Sequence, residues 1–427
     1  MSILLGKLAI FLSRTIGHQG TDVGGRIALR FNKKILQKLL KNIETIILVT
    51  GTNGKSTTTN VICSGLEEVD PLTVSNKKGA NMHTGILSAL VESYRFFGNK
   101  KIKYGVFEVD EGSVPKVMAE LDKCYLVITN FFRDQLDRYG EIDILINKIQ
   151  DSLKDKQVKL VINVDDPFSF RFNKFDYVGY GLDSSIDIFE KGSISDSRYC
   201  PNCGLPLIYT TNFYGQLGYY SCECGYNRPV PKYCLTKIKA NSVEINNHEY
   251  QHNLKGAYNA YNILAALGLL KELGVGDEKI QAGLNNCYST GGRMQLLKIA
   301  GNDVYLNLVK NHTGMNMTIQ EVKKIKPNHI AFILNDFDGD GNDISWIWDA
   351  DIENLVAMNI ERFFVSGTRA NDMALRLKNI GIPKDKIVVN SLFNSLIELV
   401  TNKNAVIFSS YTALNEVKIA LEKMEDK

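Results

Sequence analysis

The β-prone run 45–50 (TIILVT) passes directly into Gly51-Thr52-Asn53-Gly54-Lys55-Ser56 and then into a helix-compatible stretch, 56–68. A buried strand, a glycine turn and a helix start in that order belong to an open α/β sheet with an anion site at the strand end. The helix terminus offers backbone N–H donors and a positive dipole end to phosphate, the lysine suits the β/γ-phosphates, and the adjacent hydroxyl suits Mg2+. The pattern is shorter than G-x-x-x-x-G-K-[ST], because Val49 stands five positions before Gly54. A glycine turn followed by an exposed lysine is the alternative, and the flanking strand and helix weigh against it. Gly51, Thr52, Asn53, Gly54, Lys55, Ser56 and Thr57 are therefore the candidate nucleotide-binding residues, with Lys55 catalytic and Ser56 a Mg2+ ligand.

Further buried-strand patterns recur at 104–109, 125–129 and 159–163 with helical stretches between them, as in a parallel α/β sheet. Asp110, Asn130 and Asp165 follow these strands, where such sheets place ligand groups. In the segment FEVDEG, Glu108, Asp110 and Glu111 end the second strand, and a carboxylate there can complete a Mg2+ shell. A solvated acidic turn is the competing reading. The neighbouring phosphate loop favours Glu108 as ligand.

At 427 residues and 44% hydrophobic, the chain has enough apolar surface for two or three domains. Fifty Lys and Arg against 47 Asp and Glu create no net field for nucleic acid, so an anionic ligand must be held locally. The first residues, MSILLGKLAIFLSRTIG, are interrupted by Lys7, too short to span a bilayer and without an A-x-A cleavage site, which predicts a cytoplasmic protein. Ile3, Leu4, the Lys7 stem, Leu8, Phe11 and Leu12 share one helical face. Packing of that face on its own domain is the expectation, with contact to a membrane surface as the alternative.

From 195 to 231 the texture turns to Cys, Gly, Pro, Asn and Tyr, marking a small inserted module. Helical texture returns at 256–273. After Gly291-Gly292, strand patterns at 303–308, 330–334, 362–365, 386–389 and 405–408 alternate with helices, so a second α/β domain follows a hinge near Gly291. In the insert, Cys200-Pro201-Asn202-Cys203-Gly204 and Cys222-Glu223-Cys224-Gly225 are separated by 18 residues. Four thiolates so spaced suit one structural Zn2+ with no open coordination position. A redox pair at Cys200 and Cys203 and replacement of one ligand by Cys234 are the alternatives. Cys63, Cys124, Cys234 and Cys287 read as small buried hydrophobes.

The motifs TGTNGKSTTT, FEVDEG, TNFFRDQLDRYGE, NVDDP, GAYNAYNILAA and GGRMQ, in that order, resemble the Mur ligase superfamily. The resemblance implies a carboxylate activated by ATP as an acyl phosphate and then captured by an amine. By the same resemblance Asn259 lies near the nucleotide, Arg293 is the hinge arginine and Asn307 is placed for the ribose. Only about 45 residues precede the phosphate loop, which leaves no room for a UDP-binding front domain. That feature, the cysteine module and the segment NDFDGDGNDISWIWDADIE are similar to the MurT family within the superfamily.

The MurT resemblance implies an N-terminal helical segment (1–44), a Mur-ligase-like ATPase domain (45–294) carrying a zinc ribbon, and a C-terminal Rossmann-like domain (295–427). It implies amidation of the D-Glu α-carboxyl of lipid II to D-isoglutamine in peptidoglycan synthesis, with ammonia from a GatD-type glutaminase in a heterodimer. Asp349 in WIWDAD would orient the glutaminase histidine, with Asp351 as second choice. A lipid-linked substrate would bring the protein to the inner face of the membrane, with peripheral contact. No cysteine of this chain sits in a glycine-flanked elbow that would expose a glutaminase nucleophile.

Gln135 replaces the superfamily histidine that binds a second cation, and Lys148 stands at a shifted spacing from the carbamoylated lysine, so neither role is carried over. Asn307 and Lys310 replace the Asp and His of the D-Y-A-H-N-P element. A folylpolyglutamate-synthetase-like peptide ligase and an ATP-binding regulatory module with a zinc ribbon are the competing functions. The insert and the WIWDAD segment do not suit the first, and the balanced charge does not suit a nucleic-acid-binding form of the second.

Overall fold

The computed structural model describes residues 1–16, 20–77, 80–95, 101–133, 141–187, 196–288, 294–337, 339–341, 343–401 and 403–425. The chain forms two compact units, Met1–Phe132 with Glu141–Tyr288, and Arg133–Gly140 with Ser289–Lys427. Gly291 and Gly292, where the sequence places a hinge, Arg293 and Gln135 lie outside the described residues.

Unit 1 contains β1 (Ile43–Thr50), β2 (Val74–Ser75), β3 (Ile102–Glu108), β4 (Lys123–Ile128), β5 (Gln157–Asn163) and β6 (Tyr177–Leu182). These are followed by β7 (Ile208–Tyr214), β8 (Leu217–Ser221), β9 (Tyr233–Ile238), β10 (Ser242–Ile245) and β11 (His248–Gln251). Nine of them form one sheet in the order β11-β10-β9-β6-β5-β4-β1-β3-β2, and β7 pairs with β8 as a separate hairpin. The strands from β2 to β9 run parallel, while β9, β10 and β11 are antiparallel. Ile47, Leu48 and Val49 of β1 are fully buried, as expected of a strand covered on both faces. β1 lies between β3 and β4, so the chain leaves it toward one edge and returns on its other side. This is the switch point at which open sheets bind ligands.

The helix Asn259–Glu272 is buried all the way from Asn259 to Leu270, because its apolar residues cover every face. It lies against the helix Lys55–Glu67, where a Cβ on Gly65 would sit 2.7 Å from Leu270 Cδ1. That missing Cβ sets how closely the phosphate-loop helix meets its neighbour.

At the N-terminus, Ser2–Thr15 packs on Val23–Phe31 and on His83–Ser93. The face expected to pack is not the face that does. Gly6 and Ile10 are buried and Ile3 is half-buried, whereas Leu4, Leu8, Phe11 and Leu12 are exposed. The reason is close approach at glycine: a Cβ on Gly6 would lie 2.9 Å from the Gly24 carbonyl oxygen and 3.0 Å from Val91 Cγ1. Hydrophobic period alone does not register a glycine as the contact residue. No helix among the described residues is long and apolar enough to cross a membrane.

Unit 2 contains β12 (Gln295–Ile299), β13 (Asn302–Leu308), β14 (His329–Ile333), β15 (Arg362–Ser366), β16 (Ile387–Val389) and β17 (Ala405–Ser409). Their order is β12-β13-β17-β14-β15-β16, parallel except for the β12/β13 edge. Alternate residues feed two cores, Phe332, Phe363 and Phe408 on one face and Phe364, Ile407 and Leu396 on the other. The five strands expected from the pattern all form, with ends displaced by at most one residue.

Candidate functional site

The phosphate loop turns between Thr50 and Lys55. Gly51 and Gly54 have φ values of 122° and 89°, a region that strongly favours glycine. Space gives a second reason. A Cβ on Gly51 would run into Thr129 Oγ1 and the Asn130 backbone, and one on Gly54 would overlap Asn262 Oδ1. The loop is fastened to the end of β4 by reciprocal bonds: Thr52 N donates to Asn130 O at 2.8 Å and Asn53 N to Asn130 Oδ1 at 2.9 Å. Asn130 Nδ2 returns a bond to Asn53 O at 3.1 Å, and Thr52 Oγ1 bonds both the N–H and the carbonyl of Phe132.

Lys55 is buried at the helix start. Its ammonium donates to Gly51 O, to Thr52 O and, at 3.0 Å, to Glu111 Oε2. Burial opposes the charged form, but the carboxylates of Glu111, Asp110 and Glu108 outweigh it and hold the lysine pKa above its ordinary value. Ser56 and Thr57 occupy the first turn of the same helix, both half-buried.

Glu108 ends β3 beside Val49. Its backbone is fixed by Asn76 in two bonds of 2.9 Å, and its carboxylate accepts from Asn81 Nδ2 at 3.2 Å. The lysine partner is therefore Glu111, three residues on, in a turn whose geometry the acidic motif FEVDEG does not reveal. Asn259 stands at the start of its helix and accepts from Asn262 Nδ2 at 2.8 Å; Asn262 is the residue against Gly54. Asn259 is thus linked to the loop through one intervening side chain. Asn76, Asn81 and Asn262 were absent from the sequence-based site, because lone asparagines carry no pattern.

Two expected ligand positions have other roles. Asn130 clamps the loop. Asp165 is fully buried and bonded to Arg228 Nε at 2.7 Å, Tyr261 OH at 2.7 Å and Leu182 N at 2.8 Å. Its neighbour Asp166 accepts from Phe131 N at 2.8 Å, Phe168 N at 3.1 Å, Ser169 Oγ at 2.7 Å and Gln216 Nε2 at 3.3 Å. Burial pushes the Asp166 carboxyl up to about 6, against those four donors. Lys148 lies exposed on the helix Ile142–Leu153.

The β7/β8 hairpin carries the cysteine module. Cys200, Cys203, Cys222 and Cys224 place all four sulfurs within 4.8 Å of one another. The Cys200–Cys224 and Cys203–Cys222 separations are 3.6 and 3.5 Å. A tetrahedral Zn2+ with bonds of about 2.3 Å needs sulfurs roughly 3.8 Å apart, so the quartet fits that ion closely. Asn202 N points at Cys200 Sγ at 3.4 Å, and the Asn202 side-chain amide lies 3.8 Å from Cys224 Sγ. All four sulfurs belong to one cluster, and Cys234 lies on β9 outside it.

In unit 2, Asp349 ends the short helix Trp346–Asp349 and is exposed, beside an exposed Trp348. Asp351, the second choice, exchanges two 2.8 Å bonds with the Asn316 amide. The turn is held by Arg376, which is buried, donates to Ile347 O at 3.2 Å and Ala350 O at 3.1 Å, and pairs with Glu353 at 2.7 Å. Asn307 is buried, accepting from Met294 N at 2.9 Å and donating to Thr318. Its side-chain amide is held within its own unit.

A glycine turn between a buried strand and a helix, a buried lysine and an adjoining carboxylate cluster define a nucleotide-dependent ligase site of the Mur ligase class. Residues 49–270 match the Mur ligase middle domain and residues 308–414 the MurT ligase C-terminal domain. The fold is that of solved Mur-type ligases. A pseudomurein peptide ligase type C from Methanothermus fervidus superposes with a TM-score of 0.68 at 21% identity, covering 89% of this chain and 79% of that one. MurF from Acinetobacter baumannii gives 0.65 at 15% identity, covering 94% and 81%.

The Staphylococcus aureus (strain COL) protein named lipid II isoglutaminyl synthase (glutamine-hydrolyzing) subunit MurT is 39% identical over 420 residues, 97% of this chain and 95% of that protein. The protein of that name from Streptococcus pneumoniae is 35% identical over 438 residues, 98% and 96% of the two chains. The chain belongs to the MurT family.

The Gly54–Asn262 contact yields a double-mutant test. Gly54→Ala is expected to destabilise unit 1 by about 1–3 kcal/mol, through a strained φ and the clash with Asn262. Asn262→Gly should recover part of that loss in the double variant. Denaturant unfolding of the four proteins measures it, and strict additivity would refute the contact.

Proposed function

We propose that this chain is the ATP-dependent synthetase subunit of a lipid II isoglutaminyl synthase, converting the D-Glu α-carboxyl of lipid II to the amide during peptidoglycan synthesis. The observation that carries this reading is near full-length similarity to two MurT subunits together with the Lys55 site at the sheet switch point.

The domains that carry the function are the ATPase domain 45–294, preceded by the helical segment 1–44, and the Rossmann-like domain 295–427. The loop 51–57 holds the ATP phosphates on backbone N–H groups and the helix start. Lys55 is presented to the transferring phosphoryl group, moving from Glu111 to phosphate when nucleotide enters. Ser56 and Glu108 are the residues that would hold Mg2+, which supplies charge neutralisation at the phosphoryl group. Asn259 steadies the loop through Asn262, and Arg293 is assigned to the hinge by its motif. The acyl phosphate loses phosphate to ammonia, so the site must exclude water.

Ammonia comes from a GatD-type glutaminase. Asp349 is assigned to orient the partner's histidine, supported by its exposure and by the engagement of Asp351 with Asn316. Arg376 positions Asp349 through the carbonyls of the WIWD turn. The cysteine quartet is a zinc ribbon in which the metal is structural. The protein works at the inner face of the membrane, where its substrate is held.

With lipid II, glutamine, ATP, Mg2+ and the glutaminase, mass spectrometry should show the amidated product. Its absence while the partner hydrolyses glutamine would sink the reading. Lys55→Ala should lower turnover by at least about a hundredfold. Asp349→Ala should abolish glutamine-dependent amidation while leaving ammonium-dependent amidation intact; equal loss of both would remove the assigned role. Metal analysis should find one zinc per chain, lost on Cys203→Ser, and full retention by that variant would overturn the ribbon.

A further inference from the structure

The N-terminal helix Ser2–Thr15 is seated by one face and leaves the other uncovered. Gly6 and Ile10 meet Gly24 and Val91, Lys7 donates to the Glu92 carbonyl at 3.1 Å, and Arg14 forms a two-pronged pair with Glu92 at 2.9 and 3.1 Å. The helix is therefore fixed in rotation about its axis. At 100° per residue, Leu4, Leu8, Phe11, Leu12 and Ile16 fall within roughly 140° of arc on the side away from those contacts. Their exposures run from 49% at Leu12 to 74% at Ile16. Five large aliphatic or aromatic side chains in a row are more than scattered surface hydrophobes.

The same N-terminal segment is rich in positive charge. Residues 1–44 contain Lys7, Arg14, Arg26, Arg30, Lys33, Lys34, Lys38 and Lys41 against only Asp22 and Glu44. That segment carries six net positive charges in a chain whose total is +3, so the remainder is net negative. Arg26, Arg30, Lys33, Lys34, Lys38 and Lys41 are all exposed, and Phe31, also exposed, stands among them. The helix itself has no acidic residue.

We infer that the N-terminal three-helix segment is a docking surface for an anionic lipid bilayer. The ridge of Leu4, Leu8, Phe11, Leu12 and Ile16 enters the interface, and the basic cluster faces acidic headgroups. An uncovered apolar ridge on a rigidly held helix, in one segment with a concentration of exposed cationic residues, has the two elements that interfacial helices use together, neither sufficient alone. The choice of lipid over a protein occupant rests on that charge complementarity. It rests also on the lipid-linked substrate proposed above, since a catalyst held at the surface samples its substrate in two dimensions.

The test uses the full-length protein and sedimentation with vesicles of phosphatidylcholine alone or with about one-third phosphatidylglycerol. Binding is expected to the anionic vesicles only and to weaken as ionic strength rises. Leu8→Glu with Phe11→Glu, and separately Lys33→Glu with Lys34→Glu, should each lower partitioning by about tenfold or more. Circular dichroism should match the parent, since all four side chains are exposed. Amidation of a lipid-free muropeptide should be unchanged in both variants, so failure of the catalytic reading registers separately from failure of docking.

Equal binding to neutral and anionic vesicles, or variants that sediment like the parent, would overturn the proposal. So would a parent dimer that dissociates on Leu8→Glu with Phe11→Glu without any vesicle binding, because the ridge would then be covered by a second copy.

Discussion

Between Thr50 and Lys55 the backbone leaves a strand buried on both faces and enters a buried helix, in a space where two Cβ atoms would collide with their surroundings. Gly51 lies against Thr129 and Asn130, and Gly54 against Asn262. This tight passage is what turns the first N–H groups of the helix toward a common point and places the Lys55 ammonium over the loop carbonyls. The buried lysine charge needs a buried counter-charge, and Glu111 supplies it.

The same constraint reaches the cysteine module. Thr52 is bonded to Phe132, Phe131 to Asp166 and Gln216, and Gln216 lies in the β7–β8 turn of the hairpin that bears the quartet. Arg228, beyond the second cysteine pair, ties the module again through Asp165 and covers the Tyr219 ring at 3.8 Å. An isolated buried Asp–Arg pair gains little net stability, since desolvation opposes the Coulomb attraction. Here Tyr261 OH, Leu182 N and the Leu182 carbonyl complete the hydrogen bonding, so the pair fixes geometry. The insert is therefore tied to the phosphate loop through this run of bonds. Arg376 has the corresponding part in the second unit, holding the WIWD turn from within while Asp349 and Trp348 remain at the surface.

Much of the architecture was legible in the pattern. Strands buried on both faces are continuous apolar runs, and the phosphate loop has a glycine and lysine spacing that few other structures need. The cysteine spacing likewise anticipated that four sulfurs meet, and the WIWDAD segment lies within the stretch that matches the MurT ligase C-terminal domain. What escaped was contact made by residues without pattern. Gly6 determined which face of the first helix packs, against the expectation from its apolar period, and lone asparagines at 76, 81 and 262 shape the site.

By itself the sequence determined the strand-loop-helix at Gly51 to Ser56, the α/β class, the four cysteines and the family, because each depends on residue type and spacing along the chain. Only the tertiary structure decided that Glu111 pairs with Lys55, that Asp165 and Asn130 support the site from behind it, and that Leu4, Leu8, Phe11 and Leu12 stay outside. Those outcomes depend on which atoms meet across long sequence separations. Hydrogen bonding and close packing select such contacts in three dimensions, where neither composition nor period records them.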